Sequence, residues 1–261
     1  MGKGTLILLA PSKTMDLVSA CPLPIEADEP LFLEQAIKIA ATVRALSVEK
    51  IMELMAVSRP IAVMAQRYYA DWRSDNVSKP ALWSYSGDVY KGLQALTMSS
   101  ADSGWAQQHL LITSGLYGLV RPYDGIQAYR LEMKASLAVG ANKNLSNFWG
   151  DCLSSFVQSQ GYNWLCNCSS EEYAKPVLSG LQLPVITPLF LDAKPSGTVG
   201  PVAIYSKLMR GVFARWMIDN RVATADQLLG FSGHGYSYDV ARSGPNRPAF
   251  SRSKMVPLRF D

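Results

Sequence analysis

The run TLILLAP at 5–11 is apolar throughout and ends in proline. A strand buried on both faces, as in a parallel sheet, has this pattern. Three further runs of the same kind are HLLITS (109–114), NWLCNC (163–168) and LPVITPLF (183–190). Between the runs the apolar period lengthens to that of helices. Glu34, Ile37, Ala40, Ala41, Val43 and Arg44 space as one amphipathic helix, and Ser47 is the predicted N-cap of the next, VEKIMELMAV. Residues 59–73 continue helical, so about 30–75 reads as a helical layer. Helices are also predicted over 99–109, beginning near Ser100 or Asp102, over 145–160, ended by Gly161, and over 206–219. Residues 21–30 are proline-rich and acidic, and read as a surface loop. ALWSYSGDVYKGL (81–93) mixes strand-like aromatics with a Gly-Asp turn. KPSGTVGP (194–201) reads as a hairpin-like turn into VAIYS, and the Gly-, Ser- and Arg-rich tail after 230 is expected to wrap the surface. Helices alternating with two-faced strands predict an α/β (α+β) fold, a mixed sheet flanked by helices.

One stretch breaks the pattern. LLITSGLYGLVRPYDGIQAYRLEM (110–133) runs from a strand through a glycine-rich turn into a segment holding Arg121, Asp124, Tyr129, Arg130 and Glu132. Four charges so close together cannot enter a core without partners. Charged and aromatic side chains just past a strand usually line a site. In an extended segment Arg130 and Glu132 point the same way, so Arg130 can grip an anion while Glu132 handles a proton, or the two can neutralise each other. The turn can also be read as a helix-hairpin-helix, whose glycines let backbone N–H groups approach a phosphate.

Charge adds little. The chain has 261 residues, 48% of them hydrophobic, and a net charge of +4, which permits an anionic partner without demanding one. The 4 cysteines lack CxxC spacing and the 2 histidines, His109 and His234, are far apart. Neither a metal site nor a cofactor is therefore expected. TLILLA lacks a following small-residue cleavage region, and no run approaches the roughly 20 apolar residues of a membrane span. The expectation is a cytoplasmic protein with no membrane partner.

Two further places carry candidate chemistry. In PSKTMD (11–16), Lys13 and Thr14 follow the first strand, where open α/β sheets bind ligands. In SKLMRGVFARWMIDNR, at about 100° per residue, Lys207, Arg210 and Arg215 share one side of a mostly apolar helix. That basic stripe needs either an anionic ligand or carboxylates such as Asp88, Glu132 or Asp151. These three, set in SGDVY, YRLEM and FWGD, are the candidate catalytic acids and bases.

In order along the chain stand PSKTMD (11–16), SGDVYKGL (86–93), SGLYGLVRPYD (114–124), YRLEM (129–133), NFWGD (147–151), EEY (171–173), KLMRGVFARW (207–216), GY (235–236) and FSR (250–252). Together they resemble the YaaA family of peroxide-stress resistance proteins, over residues 6 to about 252. The resemblance implies a single α/β unit over 1–261 with a positively charged cleft that binds DNA or a nucleotide-like anion. It also implies a part in resistance to hydrogen peroxide and in restraint of free iron. By position the cleft residues are Lys13, Thr14, Arg121, Tyr129, Arg130, Lys207, Arg210 and Arg215. The chain departs from the family pattern at Ala10, Ser12 and Glu171, and the added charge of Glu171 is expected to weaken binding to a polyanion. SGLYGLVRPYD also resembles, more loosely, proteins that process modified nucleobases. The alternative is therefore an enzyme acting on a small nucleobase-like or phosphorylated molecule through Asp88, Glu132 or Asp151. Nothing in the sequence fixes the oligomeric state.

Overall fold

The computed structural model describes residues 2–76, 78–195, 197–254, 256–258 and 260. Strand β1 (Thr5–Leu9) leads through the two-residue β2 (Thr14–Met15) to helices α1 (Leu33–Arg44), α2 (Val48–Met55) and α3 (Arg59–Asp71). Short elements follow: β3 (Lys79–Pro80), α4 (Ala81–Ser84), β4 (Tyr85–Ser86) and α5 (Asp88–Leu93). Then come α6 (Ser100–His109), β5 (Leu110–Ser114), β6 (Gly118–Val120) and β7 (Gly125–Ile126). The second half holds α7 (Leu145–Trp149), α8 (Cys152–Ser159), β8 (Trp164–Cys168), α9 (Glu171–Leu178), β9 (Val185–Ile186), β10 (Leu189–Ala193) and β11 (Val199–Gly200). It closes with α10 (Ala203–Asp219), β12 (Ser232–Gly233), β13 (Tyr236–Tyr238) and β14 (Ala249–Arg252).

Two five-stranded sheets organise the chain, in the orders β6-β5-β1-β8-β9 and β11-β10-β14-β13-β12. In the first, β5, β1, β8 and β9 run parallel and only β6 is antiparallel. Every residue of β1, β5 and β8 is buried. Their sequences are therefore continuous apolar runs rather than alternations. Leu9 is in register with both Ile112 and Cys168, which brings the carboxyl ends of the three central strands to one edge. Helix α10 packs on β1 and β8, its C-terminal end near their amino ends, where Thr5 and Trp164 bond the Val222 and Ala223 carbonyls, and it packs on α5 so closely that a Cβ at Gly211 would stand 1.8 Å from the Val89 carbonyl oxygen.

The expected N-cap Ser47 is present and accepts from the Lys50 N–H at 3.3 Å. Helix α6 spans Ser100–His109, within the expected 99–109 and starting at Ser100, with Ser99 as N-cap and Ser99 and Asp102 forming a capping box. Other expectations are corrected. LPVITPLF is two strands: Pro188 cannot continue a ladder, and the chain passes from the first sheet (β9) to the second (β10) around it. The 145–160 helix is broken at Gly150, whose φ of 43° turns the chain between α7 and α8. Helix α10 begins at Ala203 and so absorbs part of VAIYS. SGLYGLV forms a β-hairpin, because β5 and β6 pair from Ile112–Val120 to Ser114–Gly118; two strands, not two helices, flank the turn. The tail after 230 does not wrap the surface. Phe231, Tyr236 and Phe250 are buried, and β12, β13 and β14 supply three strands of the second sheet. Expected turn 194–201 is seen except at residue 196, which lies outside the described residues.

Candidate functional site

The carboxyl edge of the first sheet collects most of the singled-out residues. After Tyr129 the chain runs extended, with Tyr129, Leu131, Met133 and Ala135 buried and Arg130, Glu132 and Lys134 turned outward. This alternation puts three charges on one face. Lys13, from the loop after β1, forms an ion pair with Glu132. Lys134 reaches Glu132 at 3.5 Å and Glu172, in the first turn of α9, at 3.7 Å. These side chains, with residues 54–57 at the end of α2, line a cavity of about 330 Å³. Burial pushes the Glu132 carboxyl up, but the hydrogen bond and charge of Lys13, helped by Lys134, leave it below its ordinary range. At neutral pH Glu132 is therefore an anion held between two ammonium groups.

Arg130 is half-buried and its Nε has no hydrogen-bond partner. Its backbone carbonyl is held by the Tyr69 hydroxyl at 3.3 Å. Below lies a chain of hydroxyls: Ser114 Oγ donates to the Tyr129 hydroxyl at 2.8 Å, and the hydroxyls of Tyr129 and Tyr85 are 2.7 Å apart. Tyr90 donates to the Ala10 carbonyl at 3.0 Å. Burial raises all three phenols (Tyr85, Tyr90 and Tyr129) above their ordinary value; repulsion from Tyr129 adds to this at Tyr85 and Tyr90, while hydrogen bonds with Ser114 and Tyr85 offset part of it at Tyr129, and all three stay neutral. Tyr173 is raised likewise, by burial and by its neighbours Tyr129, Glu172 and Glu132.

Helix α10 brings the second group of cations. Helix α10 packs on β8 and sets Arg210 within electrostatic reach of Cys168 at that strand's carboxyl end, and burial pulls its guanidinium below its ordinary value. Among the described residues no carboxylate lies within salt-bridge reach of Arg210 or Lys207. Lys207 is exposed one turn earlier. Ser206, one turn before Arg210, has a buried hydroxyl oxygen without a partner, and so does Ser169, immediately after β8.

Other expected residues stand elsewhere or play structural parts. Arg121 is held by Asp124, Nε to Oδ1 at 2.8 Å, and by the Glu29 carbonyl at 3.2 Å, tying the hairpin to the acidic loop. Burial lifts the Asp124 carboxyl to about 6 despite that partner. Arg215 bonds Asp219 at 2.7 Å, Thr97 Oγ1 at 2.8 Å and the Gln94 carbonyl at 3.0 Å, bracing α10 against the turn after α5. Thr14 is exposed and pairs through its backbone with Ser86. Asp88 opens α5 behind Gly87, whose φ of 133° lets Ser12 Oγ come within 2.6 Å of where a Cβ would stand. Asp151 is exposed at the N-cap of α8, and no described contact joins it to Lys13, Arg130 or Glu132. His109 is a packing residue, with Nδ1 2.8 Å from the Thr5 carbonyl oxygen and its ring stacked on Trp105.

A family model described as "Peroxide stress protein YaaA" matches residues 5–242. The chain belongs to the YaaA family. Similar full-length relatives are UPF0246 proteins. One from Ruegeria pomeroyi is 37% identical over 255 residues, covering 95% of this chain and 98% of its own. Another, from Shewanella loihica, is 40% identical over 259 residues, covering 96% and 100%. A third, from Verminephrobacter eiseniae, is 39% identical over 255 residues, covering 95% and 98%. In this YaaA-family chain no helix among the described residues is long and apolar enough to cross a membrane.

Lys134, Glu172, Tyr85, Ser169 and Ser206 were not among the residues picked from the sequence. Ser169 had a signal: it follows an apolar strand, as Lys13 does. Lys134 had only the alternation that begins at Tyr129, and Glu172 stood in the EEY motif at 171–173 with no role attached.

Proposed function

We propose that the carboxyl edge of the first sheet is a basic cleft that binds DNA or a nucleotide-like anion, and that the protein serves peroxide-stress resistance through it. The observation that carries this reading is a pair of partly buried guanidiniums: Arg130, whose buried Nε has no partner, and Arg210, which no carboxylate reaches among the described residues. A cation in that state is unfavourable unless an anion completes it. Phosphate oxygens suit the guanidinium fork. Lys13, Lys134 and Lys207 add mobile charge around them. The parallel strand ends are where open α/β sheets take ligands.

Acid–base catalysis is the weaker reading. The hydroxyl chain through Ser114, Tyr129 and Tyr85 favours it. Against it, Glu132 is neutralised by two lysines and the phenols are held protonated.

The test is fluorescence anisotropy of a labelled DNA duplex against salt. Duplex affinity falls with a log–log slope of about −0.9 per neutralised phosphate, so three or four contacting cations give a slope of about −3. The expected binding is weak and independent of sequence. No binding at low salt, or binding without a salt slope, overturns the DNA reading.

A further inference from the structure

We infer that the turn between β8 and α9, together with Arg210 and Ser206 of α10, forms a seat for one terminal phosphate, that is, a phosphomonoester. This rests on the proposed anion cleft and names the group that its inner end takes.

Four observations converge. The Ser169 hydroxyl is unpartnered although the residue is only 2% exposed. Its backbone is fixed, because its N–H donates to Asn167 Oδ1 at 3.0 Å, and Asn167 Nδ2 is itself bound to Thr187 Oγ1 at 3.3 Å. The residue is therefore fixed immediately before the N-cap of α9, Ser170, which makes no side-chain cap bond to the first turn of that helix. Unfilled N–H groups and the helix dipole favour an anion there. Across the turn, Ser206 and Arg210 stand four residues apart on α10 and so share a face. Ser206 Oγ is buried without a partner, and Arg210 stands within electrostatic reach of Cys168 without a carboxylate among the described residues.

The donor set discriminates between kinds of phosphate. A guanidinium fork, two hydroxyls and open helix N–H groups outnumber the two free oxygens of a phosphodiester. A monoester offers three free oxygens and a charge of about −1.5 to −2 at neutral pH, which Arg210 and Lys207 balance. Glu171 and Glu172 oppose binding from the first turn of α9, but Glu172 is engaged by Lys134. The phosphomonoester can come from a free mononucleotide or from the phosphorylated end of a DNA strand.

Calorimetric titration separates the possibilities. The probes are one oligonucleotide with a 5′-phosphate, the same with a 5′-hydroxyl, a nucleoside monophosphate and inorganic phosphate. The proteins are the wild type, Arg210→Gln, Ser169→Ala and Arg130→Gln, each checked for folding by circular dichroism. In the wild type the phosphorylated end should bind about tenfold tighter than the hydroxyl end, the worth of about one charge-assisted hydrogen bond. Arg210→Gln and Ser169→Ala should each abolish or shrink that preference, and Arg130→Gln should weaken both ends alike. If Arg210→Gln does not fold, Ser169→Ala decides. Competition by the monophosphate with no preference between strand ends assigns the seat to a free nucleotide. Equal affinity for both ends with no competition by the monophosphate or by phosphate overturns the inference, while salt-dependent binding of both ends would leave the DNA reading intact. If neither end binds and the monophosphate does, the DNA reading falls and the seat stands.

Discussion

Two arginines, one buried and one partly buried, show what separates the halves of the molecule. Arg252, on β14, is only 3% exposed. Its Nε meets Asp192 Oδ1 at 2.5 Å, its Nη1 meets the Val256 carbonyl at 2.8 Å, and the rings of Tyr205 and Tyr236 flank its guanidinium at 4.4 and 4.8 Å. Tyr236 also donates to Asp192, at 2.8 Å. Arg210, at the edge of the first sheet, has no such company. A buried charge matched by a carboxylate belongs to the architecture, whereas one left unmatched marks a place completed from outside. The ion pair of the second sheet is internal to it, although Arg252 Nη2 and Asp192 Oδ2 are buried without partners, whereas at the first sheet no carboxylate among the described residues reaches Arg210.

The largest effect that tests this contrast is on stability. Arg252→Ala strands the fully buried Asp192, and denaturant unfolding should show a loss of about 3–5 kcal/mol. Arg210→Met removes a partly buried charge that lacks a carboxylate, and its stability should stay within about 1 kcal/mol of wild type. Equal losses in the two variants would erase the contrast.

The next effect is on binding. Arg210→Met should weaken DNA or nucleotide affinity about 10- to 100-fold, as expected for a charge-assisted contact. A folded Arg252→Lys variant should bind as the wild type does. Anisotropy titrations of both proteins compare them directly.

Glu132→Gln sharpens the reading of the cleft itself. The wild-type carboxyl is lowered on folding from its ordinary 4.5. Its ionised form therefore adds stability that is present above about pH 4.5 and lost as pH falls through the lowered value. The variant should lack that acid-side slope, and at neutral pH it should lose no more than about 1 kcal/mol, because Lys13 is well exposed. Its DNA affinity should rise a few-fold, because Lys13 and Lys134 are released and one negative charge is gone. An enzyme would instead show turnover collapsing while ligand binding survives.

The smallest effect is a control far from both arginines. Ser47→Ala removes the hydroxyl that caps α2 and should cost about 1 kcal/mol. Binding should not change.

The first sheet was legible because its strands are buried on both faces, and that writes an unbroken apolar run for each. The second was not. β10 alternates partly and fully buried positions, β11 and β12 are two residues long, and β10 pairs with β14 some sixty residues on. A Gly-, Ser- and Arg-rich tail gives no local hint that Phe250 completes an aromatic core with Phe190, Phe213 and Phe231. In the site, Lys13, Arg130 and Glu132 could be read because strand-end position and two-residue alternation are local properties. The basic stripe of α10 was legible only as a face. Helical period cannot say what that face meets, so Arg215 was grouped with Arg210 although it braces Gln94, Thr97 and Asp219.

The pairing of β10 with β14 has a consequence in time. Leu189–Asp192 find their parallel partners at Ala249–Arg252, some sixty residues later in synthesis. At about 5–20 residues per second, that half-sheet waits several seconds with one long side unpaired. Meanwhile the first sheet, whose β1, β5 and β8 are already synthesised, can close. The nascent chain thus passes through a stage with the carboxyl edge of its first sheet assembled and its aromatic half exposed, and there a holding chaperone has most to bind.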